Sequence, residues 1–168
     1  MKYAIKSLLL ITILALIGCG GKDEKKEKEQ IKIGQKPKTE KKIEKPVSNE
    51  VPPSKQITLD NKGVGPVKNL ELGANIDQAM AKAGGELFKN KCTACHKADR
   101  KFIGPAPTGI LERRSPEWIM NMILNPEVMV KEDPVAKALL IEFNGSPMAN
   151  QGLTEDEARK ILEYFRTL

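Results

Sequence analysis

The only histidine of the chain and two of its three cysteines lie within five consecutive residues, Cys92-Thr93-Ala94-Cys95-His96. Any fold must therefore bring both thiols and the imidazole to one place. A closed zinc site is disfavoured because it needs four ligands, and at most three lie near one another here. A thioredoxin-like CxxC is disfavoured because it belongs to a strand–helix–strand setting, and the chain shows no sustained period-two alternation. A Cys92–Cys95 disulfide is expected only in a chain that has attached no cofactor.

The same five residues match CxxCH, the attachment pattern of c-type haem. In this pattern the two thiols bond to the two vinyl groups of one porphyrin and the histidine lies under the iron, so the three side chains must be neighbours. We therefore predict one covalently attached haem c, held by Cys92 and Cys95, with His96 as a ligand of the iron.

The first nineteen residues, MKYAIKSLLLITILALIGC, have the layout of an export signal, with two lysines ahead of an uncharged apolar run. The run is shorter than the roughly twenty residues of a membrane span, and its end resembles a bacterial lipobox. We predict a signal peptide over residues 1–18 and lipidation of Cys19, which would make the chain an exported, membrane-anchored lipoprotein facing the periplasm. The alternative is a cysteine that merely closes an ordinary signal. Export would place the protein in an oxidising compartment.

A Lys/Glu/Pro-rich segment without aromatic residues follows the export signal. Such a composition cannot bury enough apolar surface to offset its ordering entropy, so residues 19–56 are predicted to be a disordered tether. Residues 1–69 carry 15 Lys/Arg against 8 Asp/Glu, whereas residues 70–168 carry 13 against 14. The basic charge therefore belongs to the leader and the tether, and a nucleic-acid partner is not expected.

The remainder is predicted to be one all-α domain over residues 76–168, preceded by a lead-in strap over residues 57–75. Asn75 with Gln78 indicates the start of a first helix. Its core stripe would consist of Ile76, Met80, Ala83, Gly84, Leu87 and Phe88. Three further helices are predicted to begin with a capping residue followed by proline, at Ser115-Pro116, Asn125-Pro126 and Asp133-Pro134.

The last two helix boundaries are also marked in the sequence. The helix from Pro134 is expected to stop at Asn144-Gly145. Thr154 with Glu157 three residues later forms a capping box for a terminal helix. The apolar face of that helix would comprise Ala158, Ile161, Leu162, Phe165 and Leu168.

Over about its last 95 residues the chain resembles a class I cytochrome c. The resemblance lies in a helix ahead of CxxCH, Gly104-Pro105 after the histidine, a late methionine, and a terminal helix ending Tyr-Phe-Arg-Thr-Leu. It implies a small helical fold around one haem, in which the first and last helices cross at Gly84 beside Phe88 and Tyr164. It also implies that the Pro105 carbonyl accepts the Nδ1 proton of His96.

The resemblance further implies that a methionine is the sixth iron ligand, and Met148 matches best because it stands in a loop before the last helix. Met129 is the alternative ligand, and an open coordination site is the third possibility. In the family the ligand methionine is followed by proline, whereas here Pro147 precedes Met148. Met80, Met120 and Met122 are expected to serve packing. Trp118 is expected either to line the haem crevice or approach a propionate, or to pack in the core.

An iron held by histidine and methionine has both axial positions filled, so the expected function is single-electron transfer between respiratory-chain partners, without substrate chemistry. The alternative is a haem-based sensor or gas-binding module. A peroxidase-like enzyme and a haem-free lipoprotein are weaker alternatives. The domain is expected to be monomeric.

A cationic collar near the attachment motif is expected to meet an acidic face of a partner. The collar comprises Lys82, Lys89, Lys91, Lys97, Arg100 and Lys101, set against Glu86 and Asp99. A solvated helix face is the alternative interpretation of these charges. The strap and the runs around Trp118 and Met148 are similar to tethered cytochromes c associated with nitrous oxide reduction. A nitrogen-oxide reductase or a terminal oxidase is therefore the expected type of partner.

Overall fold

Five α-helices form the part of the chain that the structure, a computed structural model, describes, residues 51–168. They are α1 (Gln78–Lys91), α2 (Pro116–Leu124), α3 (Pro126–Glu132), α4 (Pro134–Glu142) and α5 (Glu155–Phe165), with 3-10 turns at Pro53–Lys55 and Ile110–Glu112. Within residues 51–168 there is no strand, only an isolated parallel bridge between Thr58 and Arg114, so the all-α prediction is confirmed. No helix in this range is both long enough and apolar enough to cross a membrane. The predicted signal peptide, Cys19 and the tether up to residue 50 lie outside the described residues.

The three predicted proline starts are confirmed, since α2, α3 and α4 each begin at the expected proline. Ser115 and Asp133 cap their helices by accepting backbone N–H groups, from Trp118 and Ala136 respectively. Asn125 makes no such side-chain bond, so its predicted capping role is wrong. Its backbone N–H donates to the Asn121 carbonyl, near the end of α2. Asn125 is the single residue between α2 and α3.

The predicted start of α1 at Asn75 is wrong. Asp77 is the N-cap, and its carboxylate accepts from the backbone N–H groups of Ala79 and Met80. An aspartate satisfies these free N–H groups as well as an asparagine does, and it lies directly before the first helical turn. Of the predicted core stripe, Gly84 and Phe88 are buried, whereas Met80 is only half-buried; Ala81, which was not predicted, is buried as well.

The end of α4 and the capping box of α5 are both confirmed. Asn144 and Gly145 have φ of 60° and 73°, and the Gly145 N–H returns to the Leu140 carbonyl at 2.8 Å. Thr154 and Glu157 exchange the two bonds of the box. Positive φ ends the helix sharply because few residues other than glycine and asparagine adopt it.

Helices α1 and α5 cross at Gly84, as predicted. A Cβ atom at Gly84 would lie 2.9 Å from the Ile161 amide nitrogen, so only glycine allows this approach. Beside the crossing, the Phe88 ring lies 5.5 Å from that of Tyr164 and 5.7 Å from that of Phe165, centroid to centroid. Four of the five predicted α5 core residues are buried, Ala158, Ile161, Leu162 and Phe165, and Leu168 is partly buried.

The strap crosses α2, where the buried amide of Asn121 binds it. Asn121 donates to the carbonyls of Lys62 and Val67 and accepts from the Val67 N–H at 3.0 Å. Gly65 lies so close that a Cβ there would stand 2.7 Å from the Asn121 Cγ atom. The folded unit also reaches upstream of the predicted boundary at residue 56, because Ser54 is hydrogen-bonded to Glu142.

Candidate cofactor site

Helix α1 ends at the CxxCH motif. Cys92 is its C-cap, with its N–H bonded to the Phe88 carbonyl at 2.9 Å. The next turn folds back on the same residue: the N–H groups of Cys95 and His96 both donate to the Cys92 carbonyl, at 3.0 and 2.9 Å. The two thiols and the imidazole are therefore carried by one tight turn at the end of a rigid helix.

The His96 ring is fixed from two sides. Its Nδ1 atom lies 2.8 Å from the Pro105 carbonyl oxygen, the partner that the resemblance implied. Gly104 packs against the ring, and a Cβ there would lie 2.8 Å from Nδ1. The Gly104 N–H in turn donates to the Cys95 carbonyl at 2.9 Å, which anchors this loop to the motif. With Nδ1 facing a carbonyl, Nε2 is the nitrogen left to bind a metal.

The environment of the thiols does not suit a redox-active dithiol. Burial, followed by the nearby Cys95, raises the pKa of the Cys92 thiol to about 11. Redox-active CxxC motifs need a stabilised thiolate, which is common at helix N-termini, whereas Cys92 lies at a helix C-terminus. Nor do residues 51–168 bring three or more His, Cys, Asp or Glu side chains together as a metal site, as a structural zinc would need.

A cavity of about 220 Å³ adjoins the motif. Cys92, Cys95, His96 and Met148 all line it, as does Pro105. Its walls are largely apolar and come from α1, α2, α4 and α5, with Phe88, Ile119, Ile123, Leu139, Ile161 and Phe165 among them. The structure thus brings every predicted site residue of the folded domain to one apolar cavity.

The described methionines divide into two groups. Met148 and Met122 line the cavity, Met148 from the loop between α4 and α5 and Met122 from within α2. Met129 is fully buried, and its sulfur accepts the Val64 N–H at 3.0 Å beneath the strap. Met80 and Met120 are not among the lining residues.

Trp118 also lines the cavity and is almost fully buried. Its indole N–H donates to Asp133 at 3.0 Å, so this group is already engaged within the protein. Sequence reasoning did not identify Ser54 or Arg114, which line the cavity as well. No local pattern marks them, because both reach the cavity through contacts between distant parts of the chain.

Comparison with known proteins gives one consistent result. A family profile described as Cytochrome c matches residues 81–168. Cytochrome c-551 of Ectopseudomonas mendocina is 29% identical over 87 residues, which cover 51% of this chain and 98% of that protein. The structure of a cytochrome c from Rhodothermus marinus is 48% identical with a TM-score of 0.59, covering 61% of this chain and 88% of its own. An engineered form of that cytochrome, bound to a carbene intermediate, matches with a TM-score of 0.57, 48% identity and the same coverages.

The residues present fit a covalently attached haem c. The paired thiols of Cys92 and Cys95 open onto the cavity, and its apolar walls suit a porphyrin. The cytochrome c match and these contacts together identify haem c as the cofactor of this site.

Proposed function

The chain belongs to the cytochrome c family, and from this premise we propose that it is a lipid-anchored mono-haem electron carrier whose iron is held by His96 and Met148. The observation that carries the proposal is the shared cavity, where the imidazole, the Met148 side chain and both thiols meet. When bound, the haem supplies an iron that gains and loses one electron. With protein ligands on both faces, the carrier has no open position for a substrate.

Met148 is the proposed sixth ligand because its side chain lines the cavity and lies in a loop rather than in a helix. It is half-buried in an irregular loop that lines the cavity, so its side chain is not held by a helix backbone. Met129 would first have to break its bond with the Val64 N–H and leave a fully buried position. Met122 lies in the middle of α2, where the helix backbone limits the reach of the side chain.

His96 and Pro105 are proposed to act as a unit. If the Pro105 carbonyl accepts the Nδ1 proton, the ring cannot rotate and Nε2 keeps its lone pair for the iron. The same bond raises the donor strength of the imidazole. Gly104 completes the arrangement by leaving room for the ring.

The ligand assignment is tested with the oxidised holoprotein. A red-region charge-transfer band from thioether sulfur to ferric iron is expected in the wild type and in Met129→Ala, and it should be absent in Met148→Ala. Retention of the band in Met148→Ala would refute the assignment. A wild type that lacks the band and binds carbon monoxide at once on reduction would instead be the sensor or gas-binding module.

The partner surface is proposed to be the cationic collar together with two exposed apolar side chains. Phe102 and Ile103 are 49% and 47% exposed, and Ile103 also lines the cavity. The Lys97 ammonium lies 5.0 Å from the centre of the Phe102 ring, so charge and apolar surface are adjacent. This combination suits an acidic partner face with an apolar centre, as part of a respiratory nitrogen-oxide reductase or terminal oxidase.

The docking surface is tested by the rate of electron transfer to an isolated candidate partner. The rate should fall as salt rises, because screening weakens steering. Lys97→Ala should lower the rate at low salt, whereas Lys137→Ala, an equally cationic site on α4, should leave it nearly unchanged. Equal rates at low and high ionic strength would refute electrostatic docking.

Export and lipidation at Cys19 are proposed from the leader sequence. They are tested by mass spectrometry of the N-terminus of membrane-extracted protein. The expected mature chain starts with a lipid-modified Cys19, and Cys19→Ala should appear in the soluble periplasmic fraction with its haem retained. An unmodified Cys19 would limit the proposal to a secreted carrier.

A further inference from the structure

Most of the exposed large apolar side chains lie where the chain enters the folded domain. Within residues 51–168 there are six such side chains, and two of them, Phe102 and Ile103, belong to the proposed partner surface. The other four lie in residues 51–59 and at the end of α4, and we call them the entry patch: Val51, Ile57, Leu59 and Ile141. Ile57 is 70% exposed and Ile141 63%, so the patch is open to solvent.

The register of the chain at Thr58 keeps apolar side chains outside. The Thr58 N–H donates to the Arg113 carbonyl at 2.9 Å, and the Thr58 hydroxyl is buried without a hydrogen-bond partner among residues 51–168. Successive side chains of an extended segment point to opposite faces, so Ile57 and Leu59 face solvent while Thr58 faces the protein. A segment that only packed on an apolar core would have the reverse arrangement. This register is therefore unfavourable in the free domain, and apolar contact with Ile57 and Leu59 would offset its cost.

Hydrogen bonds join the entry patch to α4 and fix its position. Ser54, in the turn ahead of Ile57, donates to Glu142 through its N–H and its hydroxyl, at 2.7 and 2.6 Å. Glu142 directly follows Ile141, so the turn and the helix end are adjacent. Arg114 holds the same turn by donating to two of its backbone carbonyls. The apolar side chains are thus carried by a fixed surface of the domain.

Cationic side chains accompany the entry patch. Lys55 is exposed in the turn, and Lys137 lies one helical turn before Ile141, on the same exposed face of α4. The exposed carboxylate in residues 51–60 is that of Asp60. Apolar side chains next to ammonium groups suit the surface of an anionic bilayer, where the former enter the headgroup region and the latter bind the phosphates.

We propose that the entry patch rests on the surface of an anionic lipid bilayer. The choice of lipid rests on the proposed anchor at Cys19, because the predicted tether joins the domain at Val51, beside the patch. A flexible chain between these two residues spans a few tens of ångströms. The bilayer is therefore held near this end of the domain, and even a weak contact is populated at such an effective concentration.

The contact would also orient the cationic collar. The ammonium of Lys101, a member of the collar, lies 4.6 Å from the centre of the Phe143 ring, directly after the end of α4. The collar therefore begins beside the entry patch. A domain that rests on lipid through the patch would direct the collar along the membrane surface, toward partners in the same membrane.

The first test is co-sedimentation of the soluble Cys19→Ala holoprotein with vesicles of phosphatidylethanolamine and phosphatidylglycerol. Binding is expected, and the double variant Ile57→Ser, Leu59→Ser should weaken it at least tenfold, because two apolar side chains no longer enter the interface. The matched control Phe102→Ser, at an exposed apolar residue outside the patch, should change the affinity less than twofold. Absence of binding, or equal binding by all three proteins, would overturn the proposal.

The outcome does not depend on the anchor. If Cys19 carries no lipid, the secreted wild-type holoprotein is itself soluble and is used in the same experiment. Failure of the anchor and failure of the patch are therefore distinguished, since the first is measured by mass spectrometry and the second by vesicle binding.

The second test concerns the charges. Lys137→Gln should weaken binding to the anionic vesicles about fivefold, as expected for one lysine near a charged bilayer. The same substitution should leave the weaker binding to phosphatidylcholine vesicles unchanged. The control Lys131→Gln, at an exposed lysine of α3, should change the affinity less than twofold. Equal losses in the two variants would mean that only net charge matters, which would contradict a contact through the patch.

Hydrogen exchange of the wild-type holoprotein locates the contact without any substitution. Residues 56–60 and the end of α4 should gain protection when anionic vesicles are added, whereas α3 should not. Protection confined to other regions would refute the proposal. Sedimentation without lipid tests the other occupant: a dimer that Ile57→Ser dissociates would assign the patch to a second copy of the chain and overturn its assignment to lipid.

Discussion

Gly84 in α1 lies so close to Ile161 in α5 that a Cβ on the glycine would stand 2.9 Å from the isoleucine amide nitrogen. Neither backbone can yield without moving its helix. We therefore expect Gly84→Ala to lower the free energy of unfolding by about 3 kcal/mol, at the upper end of overpacking effects. Denaturant unfolding of the holoprotein measures this directly.

The neighbouring glycine provides the control for this prediction. A Cβ at Gly85 would meet the Tyr164 ring at 3.4 Å, an ordinary contact. Since alanine also favours the helix by up to about 1 kcal/mol over glycine, Gly85→Ala should be neutral or stabilising. Similar losses in the two variants would show that the close crossing is not the cause.

Gly104 is expected to be essential for the orientation of His96. A Cβ there would lie 2.8 Å from Nδ1, so Gly104→Ala should displace the ring from the Pro105 carbonyl. The expected result is a higher reduction potential and a lower thermal midpoint, because an imidazole without this hydrogen bond donates less strongly to ferric iron and is less constrained. Gly73→Ala, where the nearest atom would be 3.7 Å away, should change neither quantity.

Glu163 is expected to make the stability of the domain sensitive to acid. Burial alone would raise the pKa of this carboxylate, but hydrogen bonds from Arg159 and the Asp77 N–H, with the charges of Arg159 and Arg166, lower it overall. Its stabilising contribution is therefore complete above the unfolded pKa of about 4.3 and is lost as the pH falls through the lower folded value.

The corresponding measurement is the unfolding free energy of wild type and Glu163→Gln between pH 7 and pH 3. The variant should be less stable at pH 7 and should lose less stability on acidification, so the two curves should converge. Parallel curves would show that Glu163 is not responsible for the acid sensitivity.

A chain that cannot attach haem is expected to lose its cooperative fold. Without haem, the apolar side chains that line the cavity of about 220 Å³ would face solvent, and a domain of this size has little stability to spare. The Cys92→Ala, Cys95→Ala double variant should therefore lack the near-UV signal of Trp118 and unfold without a sharp transition. A native-like near-UV spectrum with a sigmoidal unfolding curve would contradict this.

Local signals in the sequence predicted much of the fold. Proline marked the starts of three helices, two of them after a capping side chain, and Thr154 with Glu157 marked a fourth, because these signals involve neighbours along the chain. The start of α1 was misplaced because two polar residues, Asn75 and Asp77, competed for one cap and the sequence does not rank them.

The composition of the site was harder to predict than its motif. CxxCH identified the cofactor by spacing alone, whereas the position of Arg114 depends on carbonyls 58 and 61 residues away in sequence. Asn121 likewise holds a strap more than 50 residues upstream. Contacts between residues far apart in the chain produce no regular spacing in the sequence. A buried polar residue therefore cannot be distinguished in sequence from one at the surface.

The two hydrogen bonds from Ser54 to Glu142, called the latch below, also have a mechanical consequence. Any pull applied to the chain upstream of Pro53 would load this latch and the carbonyl bonds to Arg114 before it reached the rest of the domain. Tension on the tether would thus act first on residues that line the cavity.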